Sequence, residues 1–201
     1  MIKVYHAPRT RSVRILWLLE ELGVPYTIEK VAFAPQPMPF AQATPFGKVP
    51  ALEDGEVSMF ESGAMVEYLL ERYGQGRLAP SIGNPAERAA FLQWLHYSES
   101  TVLGLIAPVI WFVIYRKDAE QNAHIIADAK ARAATALDFL ERHIGDKDYL
   151  LASGFSAADI MMGFTLNAAR AFGIIDERFA KLDAYSKRLA ARPALVKASA
   201  L

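Results

Sequence analysis

The hydrophobic pattern changes period near residue 75, and this change constrains the fold more than any other feature. Before it, short runs with strand character are interleaved with helical segments. "IKVYHA" (2–7) reads as a strand, and "SVRILWLLEELG" (12–23) as an amphipathic helix stopped by Gly23. "YTIEKVAF" (26–33) alternates like a second strand. "APQPMPFAQATPF" (34–46) holds four prolines and cannot be regular sheet. "VPALE" and "VSMF", joined by "DGE", read as a hairpin, and "SGAMVEYLLERYG" (62–74) as a helix. The order β-α-β-loop-β-β-α implies a mixed sheet, with helix-linked strands parallel and hairpin strands antiparallel.

"GQGRLAPSIGNP" (74–85) reads as a linker. After it every segment is helical in pattern. Asn84 and Pro85 suit the N-cap and first helical position of a helix running to about Arg116, which Pro108 is expected to kink or divide. Further helices are expected over 118–145 and 156–173, and one or two more over 179–201. In "GFSAADI" (154–160), Ser156 and Asp159 form an acidic variant of the capping box, with Phe155 and Ile160 at the staple positions. The expected division is 1–75, a linker over 76–85, and an all-helical 86–201. The fold class is α/β plus all-α.

Composition narrows function mainly by exclusion. Lys+Arg and Asp+Glu both number 22, so no excess charge favours nucleic acid or an anionic membrane as partner. The longest apolar block, Leu103 to Tyr115, has 13 residues and a proline, against about 20 for a membrane span. No signal pattern follows Met1, so a soluble cytoplasmic protein is expected. Cysteine is absent, which removes disulfides, thiolate metal sites and any protein thiol nucleophile. The histidines His6, His96, His124 and His143 lack metal-site spacing, and no metal is expected.

"RSVRILWLLEELG" with "VPY" after it, "GKVPAL", "ESGAMVEYL" and "GFSAADI" occur in that order along essentially the whole chain. On these motifs the chain resembles the cytosolic glutathione S-transferase family, in a bacterial-type form with a serine/threonine-like activator. The resemblance implies an N-terminal thioredoxin-like domain, a C-terminal helical bundle, glutathione as co-substrate and a homodimer. It also implies a cis Val49-Pro50 bond, with Val49 pairing through its backbone to the cysteinyl unit of the tripeptide. Glu61 and Ser62 would hold the γ-glutamyl end at a helix N-terminus, where exposed N–H groups favour an anion. Equally, Ser62 is a simple N-cap and Glu61 a dipole-favoured acid. Lys48 and Gln36 lie where relatives reach the glycine carboxylate.

The thiolate activator is left open between Thr10 and Ser12, with Tyr5, Arg11 or backbone amides as further options and Ser12 alternatively an N-cap. A hydrophobic electrophile is expected between the domains against His96, Leu103, Pro108, Trp111, Phe112 and Tyr115. The implied reaction is conjugation of glutathione to that electrophile, with hydroperoxide reduction as an adjacent activity. The absence of cysteine argues against thiol-transfer roles. The alternative is a non-catalytic glutathione- or ligand-binding protein, or a transferase-like interaction module.

Overall fold

The structure is a computed structural model that describes residues 1–32 and 47–201. The Pro-rich stretch, with Gln36 and Thr44, lies outside the described residues. Two compact units divide the chain: Met1–Ser81 together with Ala191–Leu201, and Ile82–Ala190.

The first unit is built on a sheet ordered β2-β1-β3-β4, from β1 (Ile2–His6), β2 (Tyr26–Lys30), β3 (Ala51–Asp54) and β4 (Val57–Phe60). β1 runs parallel to β2 and antiparallel to β3, and β3 is antiparallel to β4, as the connection lengths require. Central β1 buries alternate residues Ile2, Val4 and His6, whereas β2 and β4 at the edges are largely exposed. The β3–β4 turn places Gly55 at φ 63°, the positive value that a two-residue hairpin loop needs at its first position.

Helix α1 (Ser12–Leu22) is buried over most of its surface. It ends as its glycine requires: Gly23 adopts φ 66°, its N–H reaches Glu20 O, and the Val24 N–H reaches Leu19 O. Helix α2 (Ser62–Tyr73) closes the βαβ-ββα order.

The second unit holds α3 (Pro85–His96), α4 (Gly104–Ile110), α5 (Ala123–Ile144), α6 (Ala157–Ala171) and α7 (Ala180–Ala190). Asn84 caps α3 through the Glu87 N–H, with Pro85 at the first helical position. The helix runs through Pro108 to Arg116, with wide π-type turns over Tyr97–Leu103 and Trp111–Arg116 on either side of α4. Among the described residues, this one helix, Pro85–Arg116, is long and apolar enough to cross a membrane by length and composition alone. The apolar block therefore sits in a longer apolar helix than its own length indicates.

α5 begins at Ala123 rather than 118, because Lys117 turns to φ 58° and the Asp118 N–H bonds back to Phe112 O. At α6, Asp159 lies fully buried. Its carboxylate accepts the Ser156 N–H at 2.8 Å, the Leu150 N–H at 2.9 Å and the Tyr185 hydroxyl at 2.7 Å.

The C-terminus departs from the expected division. Helix α8 (Pro193–Ser199) packs on α1 and belongs to the first unit. Leu195 and Ala198 are buried, Arg192 forks onto the Glu21 carboxylate at 2.6 and 2.8 Å, and Lys197 reaches Glu20 at 2.7 Å. The helical unit thus stops at Ala190.

Candidate active site

Sheet register gathers three sequence segments at one end of the first unit. Tyr5 pairs with Ala51, and Ala51 with Phe60. The residues just beyond that row are therefore neighbours: 6–12 after β1, 49–50 before β3, and 61–62 after β4. Ala7 and Val31 form a small buried cluster against which Tyr5 and Val49 pack. The Val49-Pro50 bond is cis.

The chain leaves β1 through a turn over Ala7–Thr10. The Thr10 N–H bonds to Ala7 O at 3.3 Å, Pro8 holds the second position, and Arg9 the third at φ 62°. Positive φ suits the third position of such a turn, but a non-glycine residue there is uncommon. The turn brings two hydroxyls together: Thr10 Oγ1 and Ser12 Oγ lie 2.7 Å apart. The Thr10 hydroxyl also donates to Ala7 O at 2.7 Å. Ser12 Oγ lies 2.8 Å from His6 Nδ1, 3.2 Å from Ala7 O and 3.3 Å from the Ala7 nitrogen.

Burial separates the two candidate activators. Ser12 is 0% exposed and faces His6, while Thr10 is half-buried. Ser12 is not an N-cap either, since it is the first helical residue and Arg11 holds the cap position. The Tyr5 hydroxyl is committed to Glu53 at 2.6 Å, which takes it away from the turn.

At α2, Glu61 occupies the position before the helix with φ 72° and ψ 109°, and its carbonyl accepts the Met65 N–H. A bulky residue in that region stores strain, a feature that concentrates at ligand-binding positions. Ser62 is the first helical residue, not the N-cap, and is 4% exposed. Arg14, fully buried in α1, donates from Nη1 to Ser62 Oγ at 3.1 Å. That leaves the Ser62 proton available to an acceptor. Helix geometry also leaves the N–H groups of the first α2 turn without intrahelical acceptors. Glu61, Lys48 and half-buried Val49 border the same region, Lys48 being exposed.

His6 and Arg14 carry much of this geometry and were not singled out from the sequence. The available signal was strand alternation, which puts His6 on the buried face with Ile2 and Val4. For Arg14 it was a cation inside an otherwise apolar helical run. Burial, then the charge of Lys30, hold the His6 imidazole below its ordinary pKa.

The six expected pocket residues do not gather into one place within the helical unit. Leu103 is 1% exposed and part of the core. His96 precedes Trp111 by 15 positions on one helix, roughly 20 Å along its axis. Half-buried Pro108 and Phe112 remain near exposed Trp111, which stacks on Tyr115 at 5.7 Å between ring centroids. Among the described residues, no group of three or more His, Asp and Glu side chains is placed to hold a metal ion.

Residues 1–71 match the glutathione S-transferase N-terminal domain, and residues 123–188 the glutathione S-transferase C-terminal domain. Glutathione S-transferase 3 of Schizosaccharomyces pombe is 29% identical, over 96% of this chain and 85% of that one. A glutathione S-transferase-like protein of Beauveria bassiana is 31% identical over 79% of this chain and 75% of its own length. Among solved structures, the theta class glutathione S-transferase of Xanthomonas axonopodis pv. citri, with glutathione bound, superposes with a TM-score of 0.82. It is 31% identical, and the match covers 100% of this chain and 97% of that one. The glutathione S-transferase of Xylella fastidiosa has the same fold, at a TM-score of 0.84 and 23% identity over 98% of this chain and 97% of that one. Two domain matches in the right order, relatives along the full length and a shared fold lead to one conclusion: the chain belongs to the glutathione S-transferase family.

Proposed function

We propose that the chain is a glutathione transferase whose thiolate is held by Thr10. One observation carries this reading: half-buried Thr10 closes the turn that starts at Ala7, Val49 packs on the Ala7 cluster, and Arg14 of the helix that follows the turn bonds to Ser62 at the start of α2. Glutathione bound to the Xanthomonas relative supports the same co-substrate here.

The backbone of Val49 pairs with the cysteinyl unit as one more strand would. The Ser62 hydroxyl and the α2 N-terminus take the γ-glutamyl carboxylate, and Glu61 takes the ammonium. Lys48 meets the glycine carboxylate, assisted by Gln36. With its carboxylates and backbone held, the sulfur lies at the Ala7–Thr10 turn. A free thiol has a pKa of about 8.5, and lowering it by about two units needs roughly 2.7 kcal/mol of preferential thiolate stabilisation. The Thr10 hydroxyl and the amides at the α1 N-terminus supply that stabilisation. The thiolate then attacks a hydrophobic electrophile, and the protein acts by positioning and by keeping the sulfur ionised. The same thiolate supports hydroperoxide reduction as a side activity. A cytoplasmic homodimer with a role in detoxification, without nucleic-acid or membrane partners, completes the reading.

Retention on immobilised glutathione, together with turnover of a chlorodinitrobenzene-type electrophile, tests it. Retention without turnover across several electrophiles and peroxides makes the protein a binder. Loss of retention removes glutathione altogether.

A further inference from the structure

We propose that His6 and Ser12 form a one-way hydrogen-bond chain that makes Thr10 an obligate donor to the glutathione thiolate. This deepens the transferase reading and rests on Thr10 being the activating hydroxyl.

The direction follows from the protons available. The Ala7 carbonyl oxygen can only accept, so its 2.7 Å contact uses the Thr10 proton. Thr10 has no second proton, so its 2.7 Å contact with Ser12 Oγ uses the Ser12 proton, which favours this short contact over the 3.2 Å one to Ala7 O, an oxygen that already accepts the Thr10 hydroxyl and N–H. Ser12 then has none left for His6, and the 2.8 Å contact requires His6 Nδ1 to carry the hydrogen. A neutral imidazole with its proton on Nδ1 has a bare Nε2. Nε2 is the ring atom with no hydrogen-bond partner among the described residues. An orphaned buried acceptor is better tolerated than an orphaned N–H, so the tautomer and the burial agree. Burial and the nearby Lys30 both disfavour the imidazolium, which would put a second N–H at that unpartnered position.

The chain fills the acceptor side of Thr10. Its oxygen receives the Ser12 hydroxyl and, at 3.4 Å, the Ser12 backbone N–H. With both lone pairs engaged, Thr10 has only its proton to offer. In the free protein Ala7 O takes that proton, and with glutathione bound it turns to sulfur. The thiol proton leaves to bulk water, and no side chain gains or loses one. A neutral thiol gains less, because its S–H meets an oxygen with no acceptor site left. The chain therefore discriminates thiolate from thiol. Polarisation along it strengthens the last bond by about 10–30%. Thr10 touches the sulfur, and His6 and Ser12 are positioning residues.

The test has two arms. In the unaltered protein, nitrogen NMR of the His6 ring is expected to find the proton on Nδ1, and a proton on Nε2 overturns the chain. In the second arm, the thiol pKa of bound glutathione is read from thiolate absorbance. His6→Leu is expected to raise it by roughly half to one unit, a three- to tenfold fall in the acid dissociation constant of the bound thiol. His6→Asn, which restores a donor near the Nδ1 position, is expected to bring it back. Glutathione affinity measured near pH 5, where the bound thiol is protonated, should stay within about twofold, since His6 does not hold the tripeptide. In a Thr10→Val background His6→Leu should add nothing. A raised pKa in Thr10→Val with no change in His6→Leu overturns the chain alone. No change in Thr10→Val overturns the assignment of Thr10 and the chain with it.

Discussion

Arg14 Nη1 donates to Ser62 Oγ across 3.1 Å, so a guanidinium buried in α1 sets the hydroxyl at the mouth of α2. Because Ser62 accepts there, its own proton is left for another acceptor, which in the proposed function is the γ-glutamyl carboxylate. Ser62→Ala removes one hydrogen bond to a charged group, about 1.5–3 kcal/mol. Glutathione affinity by calorimetry is therefore expected to fall roughly ten- to hundredfold. Arg14→Met should weaken binding in the same direction and also lower stability. Unchanged affinity in Ser62→Ala would mean that the α2 mouth does not hold the tripeptide.

The Asp159 network belongs to folding rather than to chemistry. Asp159→Ala leaves the buried Tyr185 hydroxyl and the N–H groups of Leu150 and Ser156 without their acceptor. Each stranded buried group costs about 1–3 kcal/mol, so a loss of roughly 3 kcal/mol or more is expected in urea unfolding. Ser156→Ala should cost about 1 kcal/mol, as for a lost cap. A smaller effect for Asp159→Ala than for Ser156→Ala would contradict this ordering.

Asp54 links stability to pH. The Tyr73 hydroxyl, then Tyr68 and Arg72, hold its carboxyl below the ordinary carboxylate value despite burial. A carboxylate with a depressed folded pKa contributes stability that is complete above its unfolded pKa, near 4. That contribution is lost as pH falls through the lower folded value. Asp54→Asn is expected to lower stability at pH 7 and to flatten the acid limb of a pH–stability profile. An unaltered acid limb would show that the tyrosine clamp contributes nothing.

Helix α8 stabilises α1 from the far end of the sequence. Arg192→Ala removes a two-point contact with Glu21 whose side chains are 26% and 11% exposed. A loss of about 1 kcal/mol is expected in urea unfolding, more than for an open surface pair.

Much of the fold was legible because the local signals agree with the tertiary structure. The hairpin dipeptide Asp54-Gly55, the stop at Gly23 and the Asn84-Pro85 helix start each act through neighbours in sequence. The start of α5 was misread because Ala119 to Gln121 carry helix propensity, while Lys117 and the bond from Asp118 to Phe112 turn the chain first. The destination of α8 was hidden because its pattern marks a buried face without naming what covers it. Motifs singled out Val49-Pro50 and Glu61-Ser62 in the same way, and the sheet register brings these segments together at one end of the first unit. Choosing between Thr10 and Ser12 needed burial, and the roles of His6 and Arg14 needed distances between residues far apart in the pattern. His96 and Leu103 share an aromatic-rich helix with Trp111, but helical rise and inward packing separate them from it.

The thiol pKa of glutathione bound to the wild-type chain and to Thr10→Ala and Thr10→Ser, followed by thiolate absorbance across pH, is the most direct test of the catalytic assignment. The expected result is a wild-type value about two units below the free thiol. Thr10→Ser should stay close to it, and Thr10→Ala should rise by roughly a unit or more. A value in Thr10→Ala equal to that of the wild type would contradict the assignment.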